Sequence, residues 1–238
     1  MKLSIVIPCY NEVKLILPAI QKVLAAELPA GVEREIILVN DGSHDGTKDQ
    51  IENLIAQNPA LPLILCHHPV NRGKGASIRT ALEKVNGEVV VIQDADLEYD
   101  PRDLQLMLEP ILDDKADVVF GSRFMGTGPH RVLFYFHTIG NKFLTFLSNL
   151  FTQLNLTDME TGYKMFRTHQ LRSIRLVEDR FGFEPEVTAK ISRLPGVRIY
   201  ETGIRYYGRT YQDGKKIRWP DGFRSMYCIL KYNLISRS

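Results

Sequence analysis

The sequence predicts an α/β protein built on a mostly parallel sheet with helices on both faces. Two observations predict it. Through residue 121, short β-branched runs alternate with stretches of helical periodicity, the pattern of parallel strands joined by crossover helices. Polar and acidic residues also follow the strand-like runs at their C-terminal ends, where open α/β sheets hold ligands. With 238 residues, 44% hydrophobic and 24% charged, the chain can bury one core without disulfide or metal staples.

The elements follow in order. Strands are expected at residues 3–8, 35–40, 63–66, 88–93 and 117–121. Helices are expected between them. Residues 12–26 place Leu15, Ile16, Ala19, Ile20 and Val23 on one face. Residues 47–57 follow Asp45-Gly46, and residues 76–85 follow Gly73 and Gly75. Residues 101–112 begin with Asp100 as N-cap and Pro101 at the first helical position. Beyond residue 121 the rhythm changes. Segment 131–156 is rich in Phe and Leu (Leu133, Phe134, Phe136, Phe143, Phe146 and Phe151 among them) and reads as one or two amphipathic helices broken near Gly140. Its apolar stripe suits core packing, a membrane interface or a dimer face. A further strand is expected at 197–206 and a helix with an aromatic face at 219–232.

The net charge is +2, so no global field points to nucleic acid. The charge is unevenly placed: residues 121–157 contain no acid, and residues 201–238 carry eight Lys/Arg against three Asp/Glu. Such basic surface suits anionic substrates or lipid headgroups. Cys9, Cys66 and Cys228 form no zinc or redox motif and read as reduced thiols of a cytosolic protein. Met1-Lys2 leads directly into a strand rather than a signal peptide, and no apolar run reaches the ~18–20 residues of a membrane span.

The sharpest motif is Asp94-Ala95-Asp96, with Glu98 two residues on, at the end of the 88–93 strand. Two carboxylates there make a hard-oxygen site for Mg²⁺ or Mn²⁺, which are bound by one or two carboxylates plus substrate phosphates; two solvated turn acids are the bland alternative. Pro8-Cys9-Tyr10-Asn11-Glu12 and Val39-Asn40-Asp41-Gly42-Ser43 end the first two strands on the same rim. There Tyr10 could meet a base, Asp41 could bind a ribose or base or be an ordinary turn residue, and Asn11 could cap the next helix. Asn71-Arg72-Gly73-Lys74-Gly75 reads as a tight turn close to a ligand, with Lys74 contacting ribose or phosphate. Asp158 and Glu160 read as acceptor-side acids, one of them a base, or as a polar cap. Glu184 and Glu186 open a helical pattern, and capping is the favoured reading over an acceptor pocket.

In this order, Pro8-x-Tyr10-Asn11-Glu12, Asn40-Asp41-Gly42-Ser43, Asn71-x-Gly73-Lys74-Gly75, Asp94-Ala95-Asp96 and Gly121-Ser122-Arg123 resemble the family 2 glycosyltransferases of the GT-A fold. Asp94-Ala95-Asp96-Leu97 and Thr161-Gly162-Tyr163-Lys164 look like the polyprenyl (dolichyl) phosphate mannose and glucose synthase branch. The resemblance implies a single GT-A domain over residues 1–238. Residues 1–121 form its nucleotide-sugar half, and residues 122–238 its acceptor side, including the amphipathic segment 131–156. It implies nucleoside binding by Pro8, Tyr10, Glu12, Val39 and Asp41, and metal and nucleotide contact by Asp94, Ala95 and Asp96. Glu98, where many relatives carry Gln, would be an added metal acid. Arg123 and Arg131 would face phosphates and acceptor, with Asp158 on the acceptor side. Arg209, with Lys215 or Lys216, would close over the diphosphate.

The implied reaction moves a hexose from GDP-mannose or UDP-glucose, with inversion, to a polyprenyl phosphate at the cytoplasmic membrane surface, assisted by Mg²⁺ or Mn²⁺. A phosphate acceptor is already an anionic nucleophile and needs only alignment; a hydroxyl acceptor needs a general base. The alternatives are a glycosyltransferase acting on a soluble glycan and a non-catalytic nucleotide-sugar-binding module. A nucleotidyltransferase is disfavoured because Pro8-Cys9-Tyr10-Asn11 stands where its Gly-rich loop would be.

Overall fold

A computed structural model describes residues 1–126, 131, 132, 134–209 and 219–235. The elements are β1 (Lys2–Cys9), α1 (Ile16–Ala25), β2 (Glu33–Asp41), α2 (Thr47–Gln57), β3 (Leu63–His68), α3 (Lys74–Leu82) and β4 (Val89–Ile92). A 3₁₀ turn (Pro101–Asp103) then leads into α4 (Leu104–Leu112), followed by β5 (Val118–Ser122) and α5 (Tyr135–Thr152). The chain continues through β6 (Lys164–Arg167), α6 (Thr168–Ser173), α7 (Phe183–Ile191) and β7 (Ile199–Gly203) to α8 (Trp219–Leu230), which passes into a π-helical turn (Lys231–Ile235).

The strands form one seven-stranded sheet in the order β3-β2-β1-β4-β6-β5-β7. β6 runs antiparallel to β4 and β5; the other pairings are parallel. Alternate strand residues supply two cores. Ile5, Ile36, Val91 and Val119 pack under α1 and α4, while Val6, Ile37, Val90 and Phe120 pack under α3 and α7. The expected α/β layering is therefore present. The chain switches direction between β1 and β4, which opens a crevice at their C-terminal ends. The loops after β1, β2 and β4 meet there.

Three local expectations are corrected. Segment 131–156 is not broken at Gly140: α5 runs through it, because a helix interior tolerates a glycine at modest cost when neighbours support it. α5 also buries Thr145 and Ser148 while Phe136 is 83% and Phe146 64% exposed. Phe136, Phe143 and Phe146 thus face away from the core, while Leu144, Leu147 and Phe151 pack against it, as the core reading expects. Asn11 does not cap α1. It sits at φ 51, its Oδ1 accepts the His44 amide at 2.9 Å, and the helix starts only at Ile16. β6, a four-residue strand holding a fully buried lysine, has no counterpart among the expected strands. Leu133 lies outside the described residues.

Candidate active site

Asp94 and Asp96 leave the end of β4 in a turn whose Leu97 has φ 63, a conformation that costs energy for a branched side chain and concentrates at functional loops. Around them lies a ladder of charges. Arg209 places Nη2 2.8 Å from Asp96 Oδ2, Nε 3.4 Å from Glu98 Oε1 and Nη1 3.7 Å from Glu12 Oε2. Lys74 places Nζ 2.8 Å from Asp94 Oδ1 and 3.1 Å from Glu184 Oε1. Burial alone would lower the Lys74 pKa, yet the charges of Asp94 and Glu184 push it up. Burial, then the charges of Asp94 and Glu98, push Asp96 up to about 7 against the pull of Arg209.

Among the described residues, five carboxylates (Glu12, Asp94, Asp96, Glu98 and Glu184) share Lys74 and Arg209, a concentration of hard oxygen suited to a divalent cation. Asp94 and Asp96 fit that ion as a two-carboxylate set completed by phosphate oxygens. Glu98 faces elsewhere: its Oε2 accepts the Tyr206 hydroxyl at 2.6 Å, and its Oε1 accepts the Arg209 amide at 2.8 Å. Among the described residues no three His, Cys, Asp or Glu converge as a ready-made metal cage.

The nucleoside-side residues fall on the same rim, with different tasks. Tyr10 and Pro8 are partly exposed. Glu12 lies within reach of Arg209. Asp41 is 3% exposed and uses both oxygens on protein: His68 Nδ1 at 2.6 Å, Asn71 Nδ2 at 2.8 Å, and the amides of Arg72 and Gly73 at 2.9 and 2.7 Å. It anchors the Gly-rich turn where a direct ribose contact was expected. Val39 and Ala95 turn their side chains into the core, so only their backbone can meet a ligand. Lys74, expected on ribose or phosphate, is aimed at Asp94 and Glu184.

On the other wall, Arg123 follows β5. Its Nε and Nη2 donate to Asp158 at 2.6 and 2.7 Å, its amide donates to the same carboxylate at 3.1 Å, and its guanidinium lies 5.3 Å from the Tyr206 ring centre. Asn141 adds a 3.3 Å bond to Asp158 Oδ1. Both oxygens of Asp158 are therefore occupied. Arg131 donates to the Gly208 carbonyl at 2.8 Å, tying the segment before α5 to the stretch after β7 that carries Arg209. Lys215 and Lys216 lie outside the described residues.

Glu184 and Glu186 are not caps, which corrects the favoured sequence reading. Neither bonds an amide of its own first turn. Glu186 accepts the amides of Val177 and Glu178, each at 2.8 Å, and Glu184 reaches Lys74. Sequence reasoning also missed Tyr99 and Tyr206. Tyr99 stacks on Tyr163 at 5.1 Å and its hydroxyl accepts the Gly162 amide at 2.8 Å.

Residues 4–175 match the model of the family described as glycosyl transferase family 2. An undecaprenyl-phosphate mannosyltransferase of Micrococcus luteus is 31% identical, over 90% of this chain and 87% of that protein. A dolichyl-phosphate beta-glucosyltransferase of Trichomonas vaginalis is 30% identical, over 99% of this chain and 74% of the relative. Among solved structures, glucosyl-3-phosphoglycerate synthase of Mycobacterium tuberculosis, in complex with Mn²⁺, UDP and phosphoglyceric acid, superposes with a TM-score of 0.74. It is 18% identical and covers 98% of this chain and 79% of that one. That likeness assigns the GT-A fold.

Proposed function

This chain belongs to glycosyl transferase family 2 and is a hexosyltransferase; we propose that it moves a hexose from a nucleoside diphosphate sugar, GDP-mannose or UDP-glucose, to a polyprenyl phosphate with inversion. The named activities of the two relatives support the acceptor class, and the Mn²⁺ and UDP of the structural neighbour support the donor class. Residues 1–121 supply the donor side and 122–238 the acceptor side, with Glu184 and Arg209 reaching across to the donor.

The carrying observation is the locked Asp158. A hydroxyl acceptor requires a base with an oxygen free to take a proton. Asp158 has both oxygens committed to Arg123 and Asn141, so it acts as a positioning residue for a guanidinium. Arg123, held in this way, presents positive charge to an acceptor that is itself an anion. A phosphate nucleophile needs alignment and charge balance but no proton transfer. When bound at Asp94 and Asp96, Mg²⁺ or Mn²⁺ would neutralise charge on the leaving diphosphate. Arg209, bonded to Asp96, would add a second cation at the leaving group. The outward aromatic stripe of α5 fits a peripheral contact with the membrane that holds such an acceptor. Among the described residues no helix is long and apolar enough to cross a membrane.

Glu160 favours a second reading. Burial, then the Glu184 charge, push it up to about 7 against the pull of Lys164 and Arg123, a range suited to a base for a hydroxyl acceptor.

Mass spectrometry of products separates the readings. Purified protein is given Mn²⁺ or Mg²⁺, a panel of nucleotide sugars and a short polyprenyl phosphate. The expected product is a glycosyl-phospho-lipid from one donor, reduced by roughly 10²–10³-fold in Asp96→Asn and retained in Glu160→Gln. Transfer only to a soluble glycan, abolished in Glu160→Gln, would overturn the phosphate acceptor.

A further inference from the structure

We infer that Glu98 and Tyr206 form a latch that sets Arg209 at the leaving group, so that Glu98 serves the reaction through that guanidinium and not as a metal ligand. The inference rests on the transferase reading above, in which Arg209 meets the donor diphosphate, and names the residues that put it there.

Arg209 stands in the irregular stretch after β7, where no helix or strand fixes its backbone. A functional side chain on such a stretch is precise only when its neighbours lock it. Here the stretch is tied to the loop that carries the acids. The Arg205 amide donates to Asp103 Oδ2 at 2.6 Å, Tyr206 pairs antiparallel with Tyr99, and the Tyr207 amide donates to the Glu98 carbonyl at 2.9 Å. The Glu98 side chain adds two anchors. Its Oε2 accepts the Tyr206 hydroxyl at 2.6 Å and its Oε1 accepts the Arg209 amide at 2.8 Å.

These bonds close a ring around Asp96. The Glu98 amide donates to Asp96 Oδ1 at 3.1 Å, Arg209 Nη2 donates to Asp96 Oδ2 at 2.8 Å, and the Arg209 amide returns to Glu98. Glu98 therefore positions both the guanidinium and the carboxylate that it faces. The left-handed turn at Leu97, φ 63, leads directly into Glu98, and strain of that kind persists where surrounding bonds over-determine the backbone. With both Glu98 oxygens engaged by protein donors, the cation is left to Asp94, Asp96 and phosphate oxygens.

Tyr206 suits the other half of the latch. It is 8% exposed, its ring centre lies 5.6 Å from that of Tyr99, and the Arg123 guanidinium stands 5.3 Å from it. Burial holds its hydroxyl well above the usual phenol range, so it stays a donor, and a hydroxyl donating to a carboxylate makes a short charge-assisted bond. Packing holds the ring. Removing the hydroxyl alone therefore opens the latch and leaves the wall beside Arg123 in place.

The test is a binding cycle on full-length protein, without acceptor or turnover. Calorimetry with Mn²⁺ measures GDP and UDP, and the diphosphate that binds is followed through Tyr206→Phe, Glu98→Ala, Glu98→Gln and Arg209→Gln, and through the first two in the Arg209→Gln background. Tyr206→Phe is expected to weaken the diphosphate about fivefold to tenfold, and Arg209→Gln at least as much. In the Arg209→Gln background Tyr206→Phe and Glu98→Ala should make no further difference, the coupling that marks action through Arg209. Glu98→Gln keeps an acceptor for the Arg209 amide and should recover part of the loss seen in Glu98→Ala, which guards against misfolding of that variant. Additive losses would overturn the latch, and so would Arg209→Gln that binds like wild type. A Mn²⁺-dependent loss that persists for Glu98→Ala in the Arg209→Gln background would make Glu98 a metal ligand and overturn it too. Failure of the polyprenyl phosphate product assay with an intact binding cycle would overturn the acceptor and leave the latch standing. Wild type that binds neither diphosphate would overturn both.

Discussion

Gly162 lies tight against the two charged groups at the centre of the site. A Cβ there would lie 2.5 Å from Asp94 Oδ2 and 2.8 Å from Lys74 Nζ, and its amide is held by the Tyr99 hydroxyl. Gly162→Ala must therefore displace the carboxylate or the ammonium. Overpacking of this kind costs about 1–3 kcal/mol, and misplacing a positioned group by about 1 Å costs about 10²-fold in rate. The expected result is a fall of that order in kcat/KM for the donor, with a small drop in melting temperature; unchanged kinetics would show that Asp94 and Lys74 move freely. At this scale the sequence was readable where chemistry and strand position agree. Asp94 and Asp96 stand at the end of an apolar run, so their place on the rim followed from the strand. Glu184 was not readable, because an acid in a first helical turn already has a local reason to be there. Only the tertiary approach of α3 to α7 reveals its partner. Asp41 shows the reverse: its rim position was legible, but the four bonds that consume it come from residues 68–73, beyond local reasoning.

The elements carry a different lesson. Strands β1 to β5 were legible within a few residues because each is a short β-branched run closed by turn residues. β6 was not, because its pairing with both β4 and β5 is antiparallel and its buried Lys164 is satisfied by carbonyls of Met159 and Thr161, a compensation that no pattern shows. α5 is the most instructive. Its periodicity was visible, but periodicity gives a stripe and not the side on which the stripe is buried. In the structure Thr145 and Ser148 are buried, Leu144, Leu147 and Phe151 pack on the core beside them, and Phe136, Phe143, Phe146 and Leu150 are exposed. An exposed apolar stripe on a segment without acids, with α8 packed beside it, calls for an apolar environment. Co-sedimentation with vesicles containing anionic lipid is expected for wild type and to fall several-fold for Phe136→Asp with Phe146→Asp, at unchanged thermal stability because both side chains are already outside. Equal sedimentation of both proteins would remove the membrane contact; loss of a dimer on sizing columns in its place would assign the face to a second copy.

For the whole molecule, α8 is gripped by two carboxylates whose ionisation acts in opposite senses. Glu178 accepts Arg224 Nη2 at 2.5 Å, Lys231 Nζ at 2.9 Å and the Tyr232 hydroxyl at 2.6 Å. Burial works to raise it, but these bonds bring it down to about 2. Among the described residues, Glu160 meets only the Ser225 hydroxyl, at 3.5 Å, and its Oε1 is buried without a partner; burial and Glu184 raise it to about 7. A depressed acid contributes stability that is present above its unfolded pKa and lost as pH falls through the folded one. Glu178 therefore stabilises at neutral pH and fades between about pH 4.5 and 2. A raised acid contributes in the opposite sense: the stability associated with Glu160 is full below about pH 4.5 and lost as pH rises through about 7. Two variants separate the effects. Glu178→Gln should lower unfolding free energy at pH 7 by about 1–2 kcal/mol after solvent screening, with the deficit shrinking below about pH 4. Glu160→Gln should gain on wild type as pH rises from about 4.5 to 7. Urea unfolding of the three proteins at a series of pH values checks both signs. Two variant curves parallel to wild type would mean that neither carboxylate changes its proton affinity on folding. Because consecutive residues of α8, Arg224 and Ser225, meet the two acids, the same titration reports whether the helix beside α5 is held more firmly by its charged contacts at Glu178 or by the neutral form of Glu160.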